Sequence, residues 1–108
     1  MESSKIARIR ALNDRMRSDF RNGHWLITPR VRDHPDSEQL LERVRTFQHF
    51  EDRNDPYHEH DFGAFRFGDE TYFWKIDYYD QSLTMASSDP SEEAVTRRVL
   101  TVMHASEY

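Results

Sequence analysis

Residues 62–79 read FGAFRFGDETYFWKIDYY, two aromatic-rich runs separated by Gly68 and Asp69. A glycine-first two-residue link between alternating apolar runs is the signature of a tight β-hairpin. That turn fixes a register: it sets Phe65 against Tyr72 and Gly63 against Trp74, where the absent glycine side chain leaves room for the indole. Because side chains alternate along a strand, Phe65, Phe67, Tyr72, Trp74 and Ile76 share one face, predicted to be the core, while Arg66, Phe73, Lys75 and Asp77 share the other.

A core built around this hairpin is needed. The chain has 108 residues, a length that suits one domain, 1–108, with a single hydrophobic interior. Hydrophobic residues are only 36% and charged ones 32%, yet seven Phe, five Tyr and two Trp supply large apolar area. Spent inward, they suffice for an interior of this size. Stacking of nucleic-acid bases on the aromatic hairpin is the less favoured use, because its neighbours Asp61, Asp69, Glu70, Asp77 and Asp80 are acidic rather than basic.

Working back from the hairpin, HPDSEQLLERVRTF (residues 34–47) places Asp36 or Ser37 as a helix cap and Leu40, Leu41, Val44 and Phe47 on one face. Residues 24–31, HWLITPRV, have strand composition, and Pro29 confines that strand to an edge or ends it. Residues 4–20 show Ile6, Ile9, Leu12, Met16 and Phe20 at helical spacing, with Asn22-Gly23 as the exit. Past the hairpin, SSDPSEEAVTRRVLTVMHASEY (residues 87–108) carries Ser88 or Asp89 as a cap and Pro90 at the first helical position. Val95, Val99, Val102 and Met103 make a stripe and Glu93 lies one turn from Arg97, so a third helix is predicted. The expected fold is α+β, a small antiparallel sheet of about three strands packed with about three helices in the order α-β-α-β-β-α.

Several functions are argued away. The chain has no cysteine, which removes disulfides, thiolate metal sites and a cysteine nucleophile. No apolar run reaches the roughly 20 residues of a membrane span, so no membrane association and a cytoplasmic location are expected. The net charge of −5 is unevenly distributed: residues 1–32 carry eight Lys or Arg against three acids, and residues 33–108 carry seven against seventeen. An acidic remainder of this kind repels nucleic acid and suits a basic protein partner.

The segment DPYHEHDFGAF, residues 55–65, is the one with candidate chemistry. On an extended backbone His58 and His60 would point the same way and could share a metal with Asp55 or Asp61. A structural zinc needs four ligands and only two are placed by spacing, so no metal or other cofactor is expected, with His58, His60 and Asp61 as the residues to watch. His60 could instead pair with Asp77 across the hairpin as an oriented base, although no serine nearby lies in a nucleophile-elbow sequence. A hydrolase or metal-binding site centred on Glu59, His60, Asp61 and Asp77 is therefore the alternative function. A further reading, direct nucleic-acid binding, requires Arg8, Arg15 and Arg17 on one exposed helix face.

Three stretches carry a resemblance: NDPYHEHDFGAF from Asn54, FWKIDYYD from Phe73, and SSDPSEEAVTRRVLTVMHASEY from Ser87, together with IARIRALND at residues 6–14. They resemble a family of small bacterial proteins with a domain of unknown function, encoded on chromosomes, plasmids and prophages. Its pattern runs N-D-P, two variable positions, E-H-D-F-G, then F-W-K-I-D-Y-Y-D, then a segment ending A-S-E-Y. His58 falls on a variable position, which weakens the paired-histidine metal reading. The resemblance brings no reaction or cofactor. Its mobile-element setting implies, by analogy, a binding or inhibitor role. The leading expectation is a non-enzymatic protein-binding module, in its sharpest form a phage- or plasmid-encoded, anti-CRISPR-like inhibitor. It would dock Glu51, Asp52, Asp55, Glu59 and Asp61 on a basic, nucleic-acid-binding host defence complex.

Overall fold

The hairpin forms in the register that its turn dictates. In the computed structural model, which describes residues 3–21 and 23–108, strand β2 (Phe62–Phe67) pairs antiparallel with β3 (Glu70–Tyr79), Gly63 opposite Trp74 and Phe65 opposite Tyr72. Gly68 takes the left-handed φ of +63° that the turn demands. Trp74 is fully buried, Tyr72 is 1% exposed and Phe65 8% exposed, so the aromatic face is spent on the core.

The N-terminal helix α1 (Ser4–Arg17) is capped by Ser3, whose hydroxyl accepts from the Ile6 amide, and buries Ile9, Leu12 and Met16. It ends a turn earlier than its apolar spacing suggests, leaving Phe20 42% exposed beside Trp25. Of the expected exit, Asn22 lies outside the described residues and Gly23 has φ +97°. Strand β1 (His24–Ile27) stops before Pro29, which opens the one-turn helix α2 (Pro29–Arg32). Proline at a first helical position loses nothing, because that amide has no intrahelical partner. Helix α3 (Ser37–Arg45) follows, with Asp36 at its cap position making no side-chain capping bond, and buries Leu40 and Val44.

The largest departure lies after the hairpin. Residues 97–104 form strand β4 (Arg97–His104), not a helix. It lies in the middle of a mixed four-stranded sheet of order β1-β4-β3-β2, antiparallel to β3 and parallel to β1, which replaces the expected three-stranded antiparallel sheet within the same α+β class. A central strand is covered on both faces, and Arg98 to Leu100 and Val102 to His104 are all buried. Burial on both faces erases the period of two, and the remaining apolar positions mimic a helical stripe. The cap-like Asp89 closes a local turn instead, its carboxylate accepting from the amide and hydroxyl of Ser91. With no helix, Glu93 pairs with Arg15 and Arg97 turns to His24.

Met16, Val31, Leu40 and Val44 bring all three helices onto one sheet face, against Tyr72, Trp74, Ile76, Leu100 and Val102. The opposite face carries the Lys75–Asp77 pair and Phe73, whose ring meets Tyr108 edge-on at 5.5 Å. Among the described residues no helix is long and apolar enough to cross a membrane.

Candidate functional site

The segment between α3 and β2 folds back on α1. Glu51 and Asn54 close a tight turn, the Asn54 carboxamide oxygen accepting from the Glu51 amide and the Asp55 amide donating to the Glu51 carbonyl. His58 and His60 both adopt left-handed backbone, φ +61° and +56°. Residues with a Cβ reach that region at a cost of roughly 1 kcal/mol or more. The Asp55 carboxylate holds the conformation in place by accepting from the His60 amide at 3.1 Å. The segment is therefore not extended, and the expected parallel display of two histidine rings does not occur. His58 is exposed, with Nε2 3.4 Å from Asp52. Among the described residues no three His, Asp or Glu side chains converge to hold a metal ion.

His60 instead turns toward α1. Its Nδ1 lies 2.9 Å from Asp14 Oδ1, its Nε2 3.6 Å from Asp55 Oδ2, and its ring stacks on Phe50 at 3.7 Å and 4°. The hairpin ladder starts at Phe62, so His60 never pairs with Asp77, which faces outward and holds Lys75. Of the four groups proposed as a reaction centre, Glu59, His60 and Asp61 are neighbours and Asp77 stands apart from the His60 contacts.

A second chain of bonds starts at Glu59. The Tyr78 hydroxyl donates to Glu59 Oε1 at 2.7 Å and receives a bond from Asn13 Nδ2 at 2.8 Å. Asn13, fully buried, also donates to the Glu59 carbonyl and accepts from Arg98 Nε at 2.6 Å. Arg98 ends the chain on the Pro90 carbonyl, its guanidinium 5.1 Å from the Tyr78 ring centre. Burial, then the bond to Glu59, raises the Tyr78 phenol far above its ordinary pKa. The loop, α1, β3 and β4 are thus tied by neutral and charged donors whose partners are all present, an arrangement that fixes geometry.

The acids expected to form one patch divide in two. Glu51 is bracketed by His49 and Arg53 at 2.8 and 3.0 Å, and the Asp52 side chain is 95% exposed. Asp55 is only 5% exposed, so it is a fastener and not a docking group. Glu59 and Asp61 are half-buried, and burial, reinforced by the Glu59 charge, pushes the Asp61 carboxyl up to about 6. A carboxyl whose folded pKa lies above its unfolded one binds a proton more tightly when folded. Its stabilising contribution is present below about pH 4 and is lost as pH rises through about 6. Asp61→Asn should therefore be more stable than the parent above about pH 6.5, by roughly 1 kcal/mol once solvent screening of a half-exposed carboxyl is allowed for, and match it below about pH 4. Denaturant titrations at the two pH values check this.

The arginines of α1 are also committed. Arg8 donates to the Ser91 carbonyl, Arg10 to the His58 carbonyl, and Arg15 pairs with Glu93. Arg17 is 5% exposed, so the three-arginine face needed for direct nucleic-acid binding does not exist.

These contacts converge on the stretches that carry the resemblance, and a family described as Protein of unknown function (DUF3768) matches residues 27–107. The chain belongs to that family. No curated protein and no solved structure matches it significantly. The family match starts at Ile27, the last residue of β1, so α1, which supplies Asn13, Asp14 and Arg17, precedes it. Sequence reasoning missed these three, Tyr78 and Arg98 as members of the network. The quoted stretches IARIRALND and FWKIDYYD contain Asn13, Asp14 and Tyr78, whereas the helix reading of residues 88–108 concealed Arg98.

Proposed function

We propose that this domain is a non-enzymatic, cytoplasmic protein-binding module that docks an acidic surface on a basic, nucleic-acid-binding partner. The observation that carries this reading is the inward commitment of the motif side chains. The Asp55 carboxylate accepts from the His60 amide, the His60 ring meets Asp14 of α1, Glu59 accepts from the Tyr78 hydroxyl, and the aromatic hairpin is buried. Groups so engaged hold a surface in shape, and recognition falls to the charges outside it. Of the acids considered for docking, Asp52 is the fully exposed one, Glu51, Glu59 and Asp61 are half-buried, and Asp55 takes the supporting role. In its sharpest form the module is a phage- or plasmid-encoded inhibitor that occupies the phosphate-binding groove of a nucleic-acid-guided defence complex. Carboxylates there would stand in for phosphates.

The test is a comparative capture from a bacterial lysate, using the parent chain and Glu51→Lys/Asp52→Lys. A nucleic-acid-binding protein retained by the parent, released by raised salt and lost at least tenfold by the double variant is the expected result. Equal retention by both chains would remove the acidic docking surface.

A further inference from the structure

Strand β2 ends the sheet, and its outer edge is bare. The ladder to β3 begins with the Ile76 amide donating to the Asp61 carbonyl, and its register then turns the backbone groups of Gly63, Phe65 and Phe67 toward β3. In an antiparallel ladder the intervening residues point the other way. The amides and carbonyls of Ala64 and Arg66 therefore face outward, and among the described residues none of them takes a hydrogen-bond partner there. Such a row is a template for another strand. The opposite edge, β1, is shorter and is closed by Pro29, whereas β2 has no proline.

A groove of about 420 Å³ runs beside this edge, its lining including Arg43, Phe47 and His49 together with Ala64, Phe65 and Arg66 of the strand. The two arginines, both exposed, stand on opposite sides of β2. Arg43 reaches from α3 over the Phe65 ring, 5.4 Å from its centre, on the helix side. Arg66 follows Phe65 in the strand and so leaves the other face. Among the described residues neither guanidinium has a carboxylate partner: Arg66 donates to the Asp69 carbonyl, and Glu70 is held by Arg30 and His104. His49 is engaged by Glu51.

We propose that the β2 edge binds an extended, acidic segment of a protein partner as a fifth strand. Side chains of an added strand alternate between the two faces, so one carboxylate meets Arg43 and another, on the far side, meets Arg66. Main-chain bonds to Ala64 and Arg66 supply the grip, and the small Ala64 side chain leaves the approach open. A second copy of this chain is a poorer fit, because its own β2 would bring the same cations to the seam with no acid to balance them. This edge is a different surface from the acidic loop, and the assignment is independent of the docking proposal.

The experiment is an amide-detected NMR titration of the full chain with an end-capped peptide of about eight residues built from glutamate and valine. Its lysine–valine counterpart and the glutamate peptide N-methylated along its length are the comparison probes. The glutamate peptide should shift the Ala64 and Arg66 amides and slow their hydrogen exchange, and the other two should not. Arg43→Gln combined with Arg66→Gln should weaken binding about tenfold. Ala64→Pro should abolish it while leaving the hairpin formed, since the amide it removes points outward. The proposal is overturned if the glutamate peptide does not bind, if the lysine or N-methylated peptide binds equally, or if the double arginine variant binds like the parent. A chain that dimerises without peptide and protects the same two amides would assign the edge to a second copy and overturn it as well.

Discussion

Gly63→Ala should lower the unfolding free energy by about 3 kcal/mol, the upper part of the usual range for forcing atoms into a filled interior. A Cβ at this position would stand 2.2 Å from Trp74 Nε1, 2.6 Å from Cε2 and 2.9 Å from Cζ2. The indole has nowhere to go. It is fully buried, with Phe47 and Phe50 edge-on at 5.6 and 6.2 Å and the Arg17 guanidinium 4.9 Å from its ring centre. Relief must come from β2, an edge strand, peeling away from β3 and stretching the ladder. Urea unfolding measures the loss. In a double-mutant cycle with Trp74→Leu, which removes the obstructing atoms, the combined cost should fall well below the sum of the two. Simple additivity, or a loss for Gly63→Ala under about 1 kcal/mol, would mean that the strand moves freely and the close approach is not a constraint.

Arg17→Met should cost a similar amount, about 3 kcal/mol, and lower the melting temperature by about 15 °C. Arg17 Nη1 donates to the carbonyls of Val44, Arg45 and Phe47 at 3.0, 3.3 and 2.8 Å, at and just past the end of α3, where Val44 also accepts from the Phe47 amide and the regular helical ladder runs out. The positive charge also sits at the negative end of the helix dipole, and Asp14 anchors the other nitrogen at 3.2 Å. Burial lowers the Arg17 pKa more than Asp14 restores it. Methionine keeps the aliphatic stem and removes the donors, stranding buried oxygens. Thermal unfolding with amide hydrogen exchange distinguishes this from a general loss, since protection should fall first at residues 44–47. A melting temperature within a few degrees of the parent would show that water caps α3 as well as Arg17 does.

The hairpin was legible in full because turn chemistry and alternation specify a register locally, and both Gly68 and the Gly63–Trp74 apposition obey those rules. The first and second long helices were legible through their apolar spacing. Residues 97–104 were misread because their pattern is set by what covers them, β1 on one side and β3 on the other, and neither neighbour is near in sequence. The β-branched residues Val99, Thr101 and Val102 were the available signal, and Pro90 with Asp89 outweighed it. For the candidate site, the importance of residues 54–61 was visible, but not its direction. Nothing local says that His60 faces Asp14 rather than Asp77, because left-handed backbone at two histidines turns the segment over. Arg17 looked like one of several solvated arginines, and only the placement of α3 makes it an interior cap.

The position of β4 has a consequence for biosynthesis. Its register joins His24 to Val99 and Ile27 to Val102, so the strand that fills the middle of the sheet is synthesised after the three strands that flank it and pair beyond it. Loop closure over such a span is slow, whereas the hairpin can zip up early. A nascent chain therefore carries a formed hairpin with one open flank and an oily side for several seconds at ordinary elongation rates. During that interval the same pairing that completes the sheet is available to any passing strand, which makes aggregation during synthesis, rather than fragility once folded, the exposure this topology creates.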